Sequence, residues 1–245
     1  MRLKTVTIKE FRGIKRMDAL ELRKFNVIIG RNNAGKTAIL ETLFLFPVPF
    51  GSYAVPWYPK SRIGMIAEFH SGVESLVYGY SGSAGVTYEV ETASQILSVT
   101  FILNTHAVID VQVNGKEIVL DEYLDRLSSS LDLSKDDLLA YSFYLAPHTD
   151  FVYKLHEFLC KNNVWNAIVK LGANTRLVKG FINKAVRDMF TEILLGPKKR
   201  LMLRKEFSDG NVMYIDVADL GSGVERTLLV ALALEYLLPK IVLID

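Results

Sequence analysis

A chain of 245 residues, half of them hydrophobic and 23% charged, carries enough apolar material to bury a core and too much to stay disordered. Its formal charge of +2 is close to balance, so composition points to no polyanionic partner and any basic surface must be local. The lone Cys160 excludes an internal disulfide framework, no Cys/His cluster has zinc-ligand spacing, and the amino terminus lacks the basic-then-apolar layout of a secretory signal.

Val6 and Ile8 alternate with Thr5, Thr7 and Lys9 at strand period, and the mostly apolar run Phe25 to Ile29 predicts a buried strand leading into Gly30. A helix is expected from about Gly35, with Ile39, Leu40, Leu43 and Phe44 on one face, stopping before Pro47. Residues 47–62 hold four of the seven prolines with Gly51, Trp57 and Tyr58 and read as a loop or boundary. From about Leu76 to Leu120, β-branched and aromatic residues are broken by Ser81-Gly82-Ser83 and by the hairpin dipeptide Asn114-Gly115, which predicts an antiparallel meander. Asp121 to Leu131 reads as helix and Leu138 to Leu145 as strand. Asp150 to Leu194 reads as mainly helix, broken at Gly172-Ala173-Asn174. Two strands bracket the turn Ser208-Asp209-Gly210, and a helix from Ser222 to Leu238 leads through Pro239 into a strand, Ile241 to Ile244. The apolar stretch Thr227 to Leu238 is interrupted by Glu235 and is too short to span a bilayer, so a cytoplasmic protein with no membrane partner is expected. No sustained heptad predicts a coiled-coil arm.

The string Gly30-Arg31-Asn32-Asn33-Ala34-Gly35-Lys36-Thr37 satisfies G-x-x-x-x-G-K-[S/T] between an apolar run and a helix that continues through Ala38. Glycines let backbone N–H groups curl around an anion, and the helix start adds positive dipole. Lys36 can bridge the β- and γ-phosphates of ATP while the Thr37 hydroxyl coordinates Mg²⁺. At average glycine usage of ~7%, the bare pattern arises by chance on the order of one time in a hundred in such a chain, so a nucleotide site is the stronger reading. A phosphate loop needs a carboxylate on a neighbouring strand to hold the metal, and Asp245 follows the apolar Ile241-Val242-Leu243-Ile244.

Upstream lies Asp219-Leu220-Gly221-Ser222-Gly223-Val224-Glu225-Arg226, a glycine-rich turn opening a long apolar helix. With the phosphate loop and the tract Phe11-Arg12-Gly13-Ile14, it resembles the ABC-type ATPases of the SMC, RecF and OLD kind, whose signature loop closes over ATP bound by the opposite subunit. Two departures stand out: Glu or Arg replaces the final glutamine of the signature, and Glu10 stands where the family opening has Asn.

The resemblance implies an α/β P-loop NTPase with a mixed central sheet, an antiparallel β subdomain and a helical subdomain. It lays out a single head over residues 1–245: a P-loop lobe at 1–62, the β subdomain at 63–120, a mainly helical part at 121–210, and the signature helix with the Walker B strand at 211–245. It implies that Gly221, Ser222 and Gly223 contact ATP in trans within an ATP-dependent homodimer, and that Lys36, Asp245 and Arg12 serve catalysis. Arg12 would lie near the phosphates or near DNA; a solvated turn arginine fits that position equally well. DNA and a nuclease domain or subunit are the further partners implied, in DNA repair or defence.

The family places a water-polarising glutamate directly after Asp245, then a D-loop and a switch histidine. The chain is therefore expected to be the front part of a longer ATPase, binding nucleotide while hydrolysing it poorly. No glutamine matches the Q-loop: Gln95 and Gln112 fall in the meander, and Phe143 to His148 occupies its approximate place. His156 reads as structural, and the basic run Lys198, Lys199, Arg200, Arg204 and Lys205 as a solvated face more than a DNA contact. Two other functions remain open: a transporter nucleotide-binding subunit, against which the Phe-Arg-Gly-Ile tract speaks, and a non-hydrolysing ATP-dependent interaction module.

Overall fold

Strand alternation near the amino terminus builds the first layer. In the computed structural model, which describes residues 2–50, 56–58, 60–93, 95–106, 109–146 and 149–245, β1 (Arg2–Phe11) buries Leu3, Val6, Ile8 and Phe11 on one face. It turns through Arg12-Gly13 into β2 (Ile14–Glu21). On its other side it pairs with β3 (Ser83–Glu91), followed by β4 (Ile96–Asn104), β5 (Ile109–Val113) and β6 (Lys116–Ile118). All pairs are antiparallel, in the order β2-β1-β3-β4-β5-β6. The expected meander is thus present, and it continues the sheet of β1. Asn114 (φ 51°) and Gly115 (φ 74°) make its last turn, both in the left-handed region that a two-residue hairpin needs.

Helices α1 (Lys36–Leu45), α2 (Arg62–Phe69) and α3 (Leu120–Leu131) and the short α4 (Lys135–Leu139) complete this part, with β7 (Ser142–Leu145) paired to β11 (Ile241–Ile244). Aromatic rings tie the helical segments to the sheet: Tyr88 packs on Phe46 and Phe101, and Phe101 on Tyr123. Each buried phenol finds an acceptor, Tyr88 in Thr42 O and Tyr123 in Pro47 O. Residues 1–144 with 241–245 form one compact unit and residues 145–240 a second.

The second unit holds α5 (Thr149–Leu159), α6 (Asn162–Lys170), α7 (Ala173–Leu177), a π turn (Val178–Ile182) and α8 (Asn183–Val186). The hairpins of β8 (Phe190–Leu195), β9 (Leu201–Glu206) and β10 (Val212–Asp216) come next, and α9 (Ser222–Leu237) closes the unit. Gly172, at φ 67°, marks the expected helix break.

Three expectations need correction. Phe25 to Ile29 is no strand: it has no ladder partner among the described residues, and Phe25, Val27 and Ile29 are 83%, 66% and 88% exposed. An apolar run becomes a strand only where a neighbour takes its backbone hydrogen bonds. Leu138 belongs to a helix, because Ser134 and Asp137 exchange hydrogen bonds with each other's backbone N–H and cap α4 locally. Phe190 to Leu194 is a strand, set by pairing with β9 and by Asn183, whose amide both accepts from Phe190 N–H and donates to Phe190 O.

Arg62 is fully enclosed in the first unit. Its guanidinium donates to Phe44 O in the last turn of α1 and to Phe46 O just after it, to Leu138 O and Leu139 O in α4, and to Ser142 Oγ in β7. Burial pulls its pKa down from 12.5 to about 9. Arg62→Met should remove the donor these acceptors share, leaving Leu139 O and part of the cluster unsatisfied, and cost about 2–4 kcal/mol. That corresponds to a fall in Tm of roughly 5–15 °C in a thermal melt, and a variant melting with the wild type would show the cluster to be dispensable.

Candidate nucleotide site

The phosphate loop is a turn whose shape calls for glycine at position 35 and leaves little room for a side chain at position 30. Gly35 has φ 84°, and a Cβ there would meet Ile14 Cγ1 at 3.0 Å; a Cβ on Gly30 would meet Ala34 Cβ at 3.3 Å. Asn33, at φ 63°, supplies the other left-handed residue of the turn, and residues 30–34 face solvent. Gly35 is the N-cap of α1 and uses no side chain there, and the first turn of α1 contains no acidic residue. The unpaired N–H groups and positive end of the helix dipole therefore meet no negative charge of their own. Lys36 Nζ crosses the mouth of the loop, donating to Gly30 O and Arg31 O at 2.8 Å each.

Thr37, one residue further, donates from Oγ1 to Asp245 Oδ1 at 3.3 Å, and Tyr144 donates to the other oxygen, Oδ2, at 3.1 Å. The structure therefore brings together the two residues expected to hold a metal, although they are 208 positions apart. Two hard oxygens at this spacing suit adjacent corners of an Mg²⁺ octahedron, whose ligands at ~2.1 Å lie about 3 Å from one another. Among the described residues no group of three or more His, Cys, Asp or Glu could hold a metal ion, so such an ion would share its shell with phosphate oxygens and water.

Arg12 sits in the turn between β1 and β2, with φ 53°. Its Nη1 pairs with Glu41 Oε2 and its Nη2 faces His70 Nδ1 at 3.3 Å, while His70 Nε2 meets Glu41 Oε1 at 2.8 Å. All contacts are satisfied when the imidazole proton is on Nε2: Glu41 accepts twice and Nδ1 accepts from Arg12. Arg12 is thus an ion-pair partner of a carboxylate that is 1% exposed, and not a solvated turn residue. Glu41, one turn below Thr37, stands out in sequence as the only charge in Thr37 to Phe46; His70 and Tyr144 gave no comparable signal.

In the second unit, Gly221 (φ 102°) is the N-cap of α9. Ser222 occupies the first helical position, where its side chain forms no cap hydrogen bond, and Gly221, Ser222 and Gly223 are exposed. An ordinary serine cap is therefore not what the Gly-Ser-Gly string provides. Gln95 lies in the exposed β3-β4 turn and Gln112 in β5, opposite Thr100. Of the approximate Q-loop segment, Pro147 and His148 lie outside the described residues. His156 Nε2 lies 3.6 Å from Cys160 Sγ. In the basic run, Arg200 pairs with Asp216, Arg204 with Glu206 and Lys205 with Asp188, so most of its charge is already balanced.

The AAA ATPase domain matches residues 1–54. An uncharacterized protein of Methanocaldococcus jannaschii is 48% identical over 44 residues, which span 18% of this chain and 20% of that protein. Among solved structures, an SMC head bound to the C-terminal winged-helix domain of ScpA aligns over 96% of this chain and 77% of its own, with TM-score 0.57 and 14% identity. The SMC head domain of Thermotoga maritima aligns over 98% and 74% (TM-score 0.52, 17% identity), and the recombination mediator RecF with ATP over 100% and 85% (TM-score 0.51, 17% identity). The chain has the fold of an SMC/RecF-like ATPase head. The AAA ATPase domain match at residues 1–54 covers the phosphate loop and supports nucleotide binding there. Among the described residues of the head, no helix is long and apolar enough to cross a membrane.

Arg12→Met in this head leaves Glu41 buried with His70 as its remaining side-chain partner among those described, and should cost about 2–4 kcal/mol in urea unfolding. Adding Glu41→Gln should recover part of that loss. A single variant as stable as wild type would show that the ion pair holds nothing in place.

Proposed function

We propose that this chain is the ATP- and Mg²⁺-binding head of an ATPase that dimerises around nucleotide to control contact with DNA. The observation that carries the reading is the convergence of Thr37 and Asp245 at the start of α1, beside a loop of unpaired N–H groups and Lys36. In it, the backbone from Gly30 to Ala38 cradles the phosphates, Lys36 turns from the loop carbonyls to the β- and γ-oxygens, and Thr37 and Asp245 take the metal. Bound Mg²⁺ would draw negative charge from the phosphate oxygens. Gly221, Ser222 and Gly223 of a second copy would close over the γ-phosphate, with exposed N–H groups at the start of α9 as donors. Arg12, held by Glu41 and His70, reaches that site only if nucleotide draws it from the carboxylate, so its first role is to neutralise Glu41. Control of an attached nuclease fits the same ATP-gated association.

Sedimentation with ATP and Mg²⁺ tests this. The wild-type chain should form dimers that nucleotide removal dissolves. Lys36→Ala should lose both ATP binding and dimers, whereas Ser222→Arg should bind ATP with near wild-type affinity and stay monomeric. Dimers persisting in Ser222→Arg, or ATP binding that never shifts the sedimentation coefficient, would overturn the trans arrangement.

A further inference from the structure

We infer that Tyr144 is a positioning residue for the metal-facing carboxylate: its hydroxyl holds Asp245 Oδ2 at 3.1 Å and so turns Oδ1 toward Thr37 Oγ1, 3.3 Å away. The inference rests on the proposed reading of Thr37 and Asp245 as the Mg²⁺-binding pair.

Asp245 is exposed, directly after β11, and its final torsion is of the broad, two-fold kind that packing does not fix. A hydrogen bond to one oxygen fixes it. Tyr144 is well placed to supply that bond because it stands on β7, the strand that pairs with β11, while its ring packs on Phe44 of α1 at 5.4 Å between centroids. The two elements that bring Thr37 and Asp245 together therefore also hold the tyrosine.

The hydroxyl is a dedicated donor. A phenol facing an ionised carboxylate can only donate, because the carboxylate has no proton to give. A phenylalanine would pack the same ring without the cost of burying a hydroxyl, so the oxygen answers to Asp245 and not to the core. Bonds of this type to a ligating carboxylate are worth 10–100-fold in metal affinity.

Binding of a fluorescent ATP analogue, titrated with Mg²⁺ and repeated in EDTA, would compare wild type, Tyr144→Phe and Asp245→Asn. Tyr144→Phe should need about tenfold more Mg²⁺ for half-maximal binding while its EDTA affinity and thermal melt stay at wild-type values. The spectrum of Mn²⁺ bound in place of Mg²⁺ should broaden as Asp245 gains orientations. If Asp245→Asn shifts the Mg²⁺ requirement and Tyr144→Phe does not, the positioning role is wrong. Equal loss of affinity with and without metal in Tyr144→Phe would also overturn it, by showing that the tyrosine serves the fold. If Asp245→Asn leaves the Mg²⁺ requirement unchanged, the metal-site reading fails, and the inference with it.

Discussion

The enclosed Arg62 side chain donates to backbone carbonyls and a serine hydroxyl, reaching three segments at once. The carbonyls of Phe44 and Phe46 terminate α1, where the negative end of the helix dipole favours a cation. Those of Leu138 and Leu139 belong to α4, and Ser142 opens β7 and itself donates to Phe46 O. The end of α1 is thereby fixed against the beginning of β7. Everything at the nucleotide end inherits that fixation: Thr37 begins the same helix, Tyr144 sits two residues along the same strand, and β11, which carries Asp245, pairs with that strand.

Charge along α1 is arranged by depth. Its first turn holds Lys36 and no acid, so the loop remains a site for anions. Glu41 is the first carboxylate, and unpaired it would lower the potential around the phosphates from one turn away. Arg12 and His70 take up both its oxygens, and Arg12 comes from the turn whose Ile14 packs against Gly35. The amino-terminal hairpin therefore does two things for the loop: Ile14 leaves room only for glycine at position 35, and Arg12 cancels the charge beneath it.

What the sequence made legible was local. The phosphate loop is fixed by eight contiguous residues, the Asn114-Gly115 turn by two, and the end of α1 by Pro47; each appears where expected. Phe25 to Ile29 and Phe190 to Leu194 were misread because a strand depends on a distant partner: the first finds none among the described residues, and the second is a strand because β9 lies beside it. The same limit applies to the site. Asp245 could be picked out because it ends an apolar run, but Tyr144 meets Asp245 across 101 positions, and His70 meets Glu41 across 29, only through folding. Glu41 itself was legible in principle, since a lone carboxylate in an apolar helix must find a cation or be expelled.

The two helix starts are not equivalent. The α1 start has an inward-turned loop, a lysine across its mouth and no acid in its first turn, which suffices to hold a polyanion within one chain. The α9 start has Glu225 in its first turn, and Arg226 is directed back to Ala146 O at 3.4 Å, so its exposed N–H groups face a partly cancelled field. Such a start binds an anion weakly alone and gains most from one already neutralised by Lys36 and a metal. In the proposed dimer this asymmetry sets an order: nucleotide fills the phosphate loop first, and the Gly-Ser-Gly turn of a second copy then closes on it. In that dimer association would be conditional on ATP, because the α9 start has little attraction for an empty loop.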